Sequence, residues 1–167
     1  MSFSVGDKVV HPQHGPGSIA GIESRELLDG TKRYYVIEMP GQGLTMYMPV
    51  RRADEGGIRL AISQSRLPWV LSMLRGRPRS LPKDYKERQE QIGAQLRTGR
   101  VLQLAKVVRD LSWHRKRAHL TKTDSEYLRH GRDFLAAEMA LVSGDAVADA
   151  SKLIDATMTA ALASVWD

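Results

Sequence analysis

The sequence contains no cysteine, which excludes a disulfide framework and thiolate chemistry and fits a reducing compartment. Its first residues, Met1-Ser2-Phe3-Ser4, lack the basic-then-apolar build of a signal peptide. The longest uncharged apolar stretch near the end, residues 156–166, is too short to span a bilayer. A soluble, cytoplasmic chain is expected, with no membrane contact. Catalytic constellations are missing as well. His11 and His14 lie in a Pro/Gly-rich turn without a third ligand, and a turn role suits them better than a metal. His114, His119 and His130 do not fall at helical metal-ligand spacing. The glycines at 15, 17 and 21 lack phosphate-cradle spacing and lead into a strand, where turn chemistry accounts for them. No Ser/His/Asp order stands out. No enzyme activity, cofactor, metal or small-molecule substrate is therefore expected.

What is present is charge, unevenly placed. Residues 1–60 carry seven basic and seven acidic side chains, which cancel. Residues 61–120 carry fourteen basic against four acidic, a net +10, and residues 121–167 a net −4. A basic block between neutral and acidic ones points to an anionic partner for the middle of the chain, nucleic acid above all. A solvated basic face with no partner is the competing reading.

The hydrophobic pattern changes near residue 60. Before it come short strand-like runs around Val9-Val10, residues 18–27, 33–39 and 44–50, joined by Gly-rich turns that include Asp29-Gly30. That pattern predicts a small β-barrel or strongly bent sheet. After it, Ser65 and Pro68 open a helix that Gly76 stops, and Arg77-Pro78-Arg79-Ser80-Leu81-Pro82 forms a stiff basic connector. A second helix is expected over about residues 83–97. A third carries Val101, Leu104, Val108 and Leu111 on one stripe. Thr123-Asp124-Ser125-Glu126 reads as a capping box opening the fourth. Ser143-Gly144-Asp145 ends it and caps the last helix, which carries Leu153, Ile154, Met158 and Leu162. The expected fold is α+β: a barrel over residues 1–60, then a compact bundle of about five helices over 61–167.

Trp69 and Trp113 read as packing residues, and Trp166 sits at the chain end. The run Trp113-His114-Arg115-Lys116-Arg117 suits a helix C-terminus, where cations oppose the dipole. More suggestive is Tyr85, surrounded by Arg75, Arg77, Arg79, Lys83, Lys86 and Arg88. Those cations can neutralise phosphates. The ring can stack on a base or wedge at a base step, or it can pack within the protein; composition leaves both open.

The residues also carry a resemblance. Phe3-Ser4-Val5-Gly6-Asp7-Lys8-Val9-Val10-His11-Pro12, His14-Gly15, Gly21-Ile22-Glu23 and Gly57-Ile58-Arg59 resemble the opening module of CarD/CdnL-type transcription regulators. Transcription-repair coupling factors share that opening module. Gly99 with Val107-Val108-Arg109-Asp110-Leu111 is similar to the same regulators' helical half. The resemblance implies a Tudor-like domain that grips the RNA polymerase β subunit. It also implies a helical domain that meets promoter DNA at the upstream edge of the bubble without sequence specificity, stabilising the open complex. On that match Arg25 stands where a polymerase-contacting arginine does, and Tyr47 where some relatives have a second one. Tyr85 aligns with a DNA-facing tryptophan and Arg88 with a basic neighbour, while Glu90 replaces a lysine found in some relatives. Lys83, Lys86 and Arg79 complete the expected DNA-binding set, and action as a monomer is the simplest expectation. A stand-alone DNA- or RNA-binding protein is the rival reading, and the charge balance of residues 1–60 argues against an RNA-binding barrel.

Overall fold

The structure, a computed structural model, describes residues 2–28 and 30–164. Asp29 of the expected hairpin turn and Trp166 lie outside them. The chain divides into two compact units, Met1–Ala61 and Ile62–Asp167.

The first unit is an antiparallel sheet of five strands, β1 (Lys8–His11), β2 (Gly15–Leu27), β3 (Gly30–Met39), β4 (Leu44–Pro49) and β5 (Arg59–Leu60), in the order β4-β3-β2-β1-β5. β4 and β5 each pair on one side only, so the sheet is open, and the closed barrel expected from the sequence does not form. β5 contributes only the pairs Val9↔Leu60 and Val10↔Arg59, too little chain to reach round to β4. Alternation places Val9, Ile19, Tyr35, Ile37 and Met39 in one core with Phe3, Ala53 and Ile58. The Tyr35 hydroxyl accepts the Phe3 amide at 3.0 Å. At Gly17 a Cβ would stand 2.6 Å from the Glu38 carbonyl oxygen, so only glycine lets β2 and β3 approach so closely there. The register shifts between Ile19 and Gly21, a bulge that bends the strand. Farther along the hairpin, residues 23–28 and 30–33 are exposed, Arg25 among them.

The second unit holds five helices: α1 (Leu67–Arg75), α2 (Tyr85–Arg97), α3 (Val101–Arg117), α4 (Lys122–Ser143) and α5 (Val147–Leu162). α3 packs against the other four through Leu104, Val107, Val108 and Leu111, all buried. The periodic stripe read from the sequence is therefore the core face. Helix starts differ from expectation in detail. α1 begins after a 3-10 turn at Gln64–Arg66, with Pro68 in its first turn and no side-chain cap from Ser65. The capping box of α4 is Thr121 with Asp124, two residues earlier than read. A box needs the acidic residue at the third helical position, and Asp124 fits that spacing only from Thr121. Gly144 ends α4 at φ 78°, a left-handed cap suited to glycine. α5 starts from Ala146 without a side-chain cap, so Asp145 does not serve there.

Candidate nucleic-acid interface

The basic segment read from the sequence folds as the connector of residues 76–84 and the start of α2. Asp84 caps α2, its carboxylate accepting the Glu87 amide at 3.0 Å. Tyr85 is thereby the first helical residue, and it stands 50% exposed. The Lys86 ammonium lies 5.9 Å from its ring centroid, within cation–π range. Arg79, Lys83 and Lys86 are exposed. Tyr85, Lys86, Lys83 and Arg79 therefore all reach solvent on one short stretch of chain.

Arg88 does not join them, and here the sequence expectation needs correcting. Its side chain turns inward, 3% exposed. Its Nε and Nη2 donate to the two carboxylate oxygens of Asp124 at 3.1 and 2.7 Å. Nη1 donates to the carbonyls of Pro82 and Lys83, each at 3.1 Å. The fork is thus occupied by the protein itself. Hydrogen bonding to Asp124, outweighing desolvation, holds the guanidinium above its ordinary pKa. For Asp124 desolvation pushes the other way, but Arg88 and the Thr121 hydrogen bonds prevail and the carboxyl sits below its ordinary range. Asp124 also accepts from the Thr121 amide and hydroxyl at 3.0 and 2.9 Å, and Gln89 of α2 donates to the Thr121 hydroxyl oxygen. One buried network therefore fixes the connector, α2 and the start of α4. No local pattern signals the pairing, because the whole of α3 lies between Arg88 on α2 and Asp124 on α4; the T-x-x-D spacing at Thr121 is the available hint.

The connector is pinned at a second point. The Asp110 Oδ1 accepts from the Arg79 amide at 3.0 Å and from Arg109 Nε at 2.8 Å, while Leu81 is buried. The backbone is held and the basic side chains are left outside. Beside it His114 sits below its ordinary pKa, first through burial and then through the Arg88 charge, which outweigh Asp124.

In the first unit, the Arg25 guanidinium lies 4.0 Å over the Tyr47 ring and its Nη2 is 3.6 Å from Glu23 Oε2. β2 and β4 flank β3, so the pair reaches across β3. Arg25 and Tyr47 thus form one exposed feature beside the open edge of β4, with Leu44 and Ile22 also exposed. Among the described residues no His/Asp/Glu group could hold a metal, and no helix is long and apolar enough to cross a membrane.

Comparison with known proteins agrees with this layout. The family model described as CarD-like/TRCF RID domain matches residues 3–62, and the CarD C-terminal domain matches residues 69–155. A relative from Bacillus subtilis (strain 168), named "Putative transcription factor YdeB", is 28% identical over 142 residues, 85% of this chain and 93% of that protein. This is a family of transcription factors and not of enzymes. With one domain on the sheet and the other on the helices, in that order, the chain belongs to the CarD family of transcription regulators.

Proposed function

We propose that the protein binds RNA polymerase through its first unit and promoter DNA through its second, and so stabilises the open complex. The polymerase β subunit is the partner of the sheet. The unpaired edge of β4 can add to a strand of that subunit, backbone hydrogen bonds supplying affinity while Arg25 and Tyr47 supply selection. The observation that carries the DNA half is Tyr85, half exposed at the head of a helix locked from behind and flanked by Lys83 and Lys86. These cations meet phosphates without reading sequence, and the ring wedges at the upstream edge of the bubble. Tethering to polymerase raises the local concentration of the helical unit, so weak intrinsic DNA affinity suffices. Preference for melted over closed DNA then shifts the population toward open complexes without catalysis. The protein acts as a monomer in the cytoplasm.

The test is open-complex lifetime with purified polymerase and the wild type, Arg25→Glu or Tyr85→Ala. Both variants are expected to shorten it. Retention of the full lifetime by Arg25→Glu overturns the tether, and by Tyr85→Ala the wedge.

A further inference from the structure

Within the helical unit α3, α4 and α5 enclose a cleft of about 450 Å³. α3 supplies Ser112 and Arg115 to its wall, and α4 supplies Ser125, Arg129 and Arg132, each set at the spacing of one helix face. Arg132 is already engaged: its Nε and Nη2 donate to the two carboxylate oxygens of Asp155, each at 2.7 Å. Asp155 is the one acidic residue among the described lining residues, and Arg132 neutralises it. Arg115 and Arg129 are exposed and make no hydrogen bond or ion pair among the described residues. The cleft therefore presents two uncompensated guanidiniums. Ser112 is a separate observation. It is 4% exposed, and buried hydroxyls are ordinarily paired. A helical hydroxyl can satisfy itself on the carbonyl one turn back, as Thr157 does on Leu153 at 2.7 Å. Ser112 makes no such bond and has no other side-chain partner among the described residues, and the space it lines is the cleft.

We infer that this cleft binds a small phosphate-bearing ligand, its phosphate held by Arg115, Arg129 and the Ser112 hydroxyl. Guanidiniums only donate, and a hydroxyl can donate, so the complementary ligand is an anion rich in acceptor oxygens. A phosphate monoester carries about −1.5 to −2 at neutral pH, which matches two free cations; a carboxylate leaves one of them unmatched. The planar fork of arginine engages phosphate oxygens in pairs. Ser125 and Thr159 add hydroxyls to the lining, while Val108, Leu128 and Ile154 give it an apolar floor. The volume suits a small molecule and does not admit a nucleic-acid duplex. The phosphate comes either free or as a monoester with a small body, and the chemistry is shared. The inference does not rest on the DNA reading, since Arg79, Lys83, Tyr85 and Lys86 do not line this cleft.

The experiment is calorimetric titration of the full chain with phenyl phosphate, inorganic phosphate, benzoate and a short DNA duplex. Phenyl phosphate is expected to bind at least about tenfold tighter than benzoate, which offers fewer charge-assisted contacts. Arg115→Gln and Arg129→Gln, both at exposed positions, are each expected to weaken phenyl phosphate by about tenfold or more, with the circular-dichroism spectrum unchanged. Ser112→Ala is expected to weaken it by about 3- to 10-fold; the two arginine variants carry the test if that one fails to fold. Arg51→Gln, an exposed arginine of the first unit, is expected to leave binding unchanged. Phenyl phosphate tighter than inorganic phosphate identifies the ligand as a monoester, and equal affinity identifies it as free phosphate. No binding of either phosphate, benzoate as tight as phenyl phosphate, or an equal loss in Arg51→Gln overturns the inference. So does a duplex that depends on Arg115 and Arg129 when phenyl phosphate does not, which makes the face a DNA contact.

Discussion

The guanidinium of Arg88 and the carboxylate of Asp124 meet face to face across 36 residues of chain, with two contacts of 3.1 and 2.7 Å and side chains 4% and 0% exposed. Asp124 simultaneously closes the capping box of α4, and Arg88 simultaneously holds the connector carbonyls of Pro82 and Lys83. The pair thus joins the start of one helix to the segment that presents Lys83, Tyr85 and Lys86. Such a pair offers little net gain over an apolar one of equal volume, because both charges leave water; removing one partner is costly, because the other stays buried and uncompensated.

Arg88→Ala is therefore expected to destabilise the helical unit by about 3–5 kcal/mol. Arg88→Lys loses the bidentate geometry and part of the carbonyl bonding, with an intermediate loss. Denaturant unfolding followed at 222 nm checks both. An Arg88→Ala effect below about 1 kcal/mol, the scale of an exposed pair, would contradict the buried-hub assignment.

Tyr85, in contrast, is expected to matter for DNA and hardly for folding. Half exposed at the first turn of α2, its truncation to alanine should change stability by no more than about 0.5 kcal/mol. Loss of a stacking or wedging ring costs about 1–3 kcal/mol, a shortening of open-complex lifetime of about fivefold or more. Tyr85→Trp restores the larger apolar surface and should lengthen that lifetime beyond the wild type. A lengthening absent from Tyr85→Trp but present in Tyr85→Ala would reverse the assigned role.

Arg79 and Lys83 are expected to act through phosphates. Each alanine substitution should weaken DNA binding across unrelated sequences and lower the slope of log affinity against log salt by about 1. Binding is to be measured by anisotropy over a salt series. A change confined to one DNA sequence, with the slope unmoved, would mean base contact instead.

Much of the fold was readable because local rules agree with it. The switch from short alternating runs to 3.6-residue periodicity marks the passage from sheet to helices, and Leu104, Val108 and Leu111 lie where that period puts the core. The barrel was overread: short strands and glycine turns describe curvature, whereas closure depends on whether β5 reaches β4, which no local pattern encodes. Arg88 was misread for a related reason. Its basic neighbours suggested a phosphate contact, but its inward direction is set by Asp124 on another helix. Tyr85 and Lys86 stand exposed because Asp84 caps α2 and leaves its first turn outward.

The turn at residues 11–14 carries a pH dependence whose sign follows from its hydrogen bonds. His11 Nδ1 accepts the amides of Gln13 and His14, each at 3.1 Å, so the imidazole must be unprotonated there. Burial first, and then the neighbouring His14, hold His11 below its ordinary pKa of 6.5, and the two rings lie 4.7 Å apart. A depressed folded-state pKa means the folded protein resists the proton more than the unfolded chain does. The contribution is therefore fully present above about pH 6.5 and is lost as pH falls from there through the folded pKa. Each amide bond is worth about 1 kcal/mol, so the sheet unit should lose stability on acidification through that window. His11→Gln, which does not titrate, should remove this part of the pH dependence. NMR titration should show the His11 ring titrating below 6.5, with the Gln13 and His14 amides losing exchange protection in step; a ring titrating above 6.5, or amides indifferent to it, would refute the coupling.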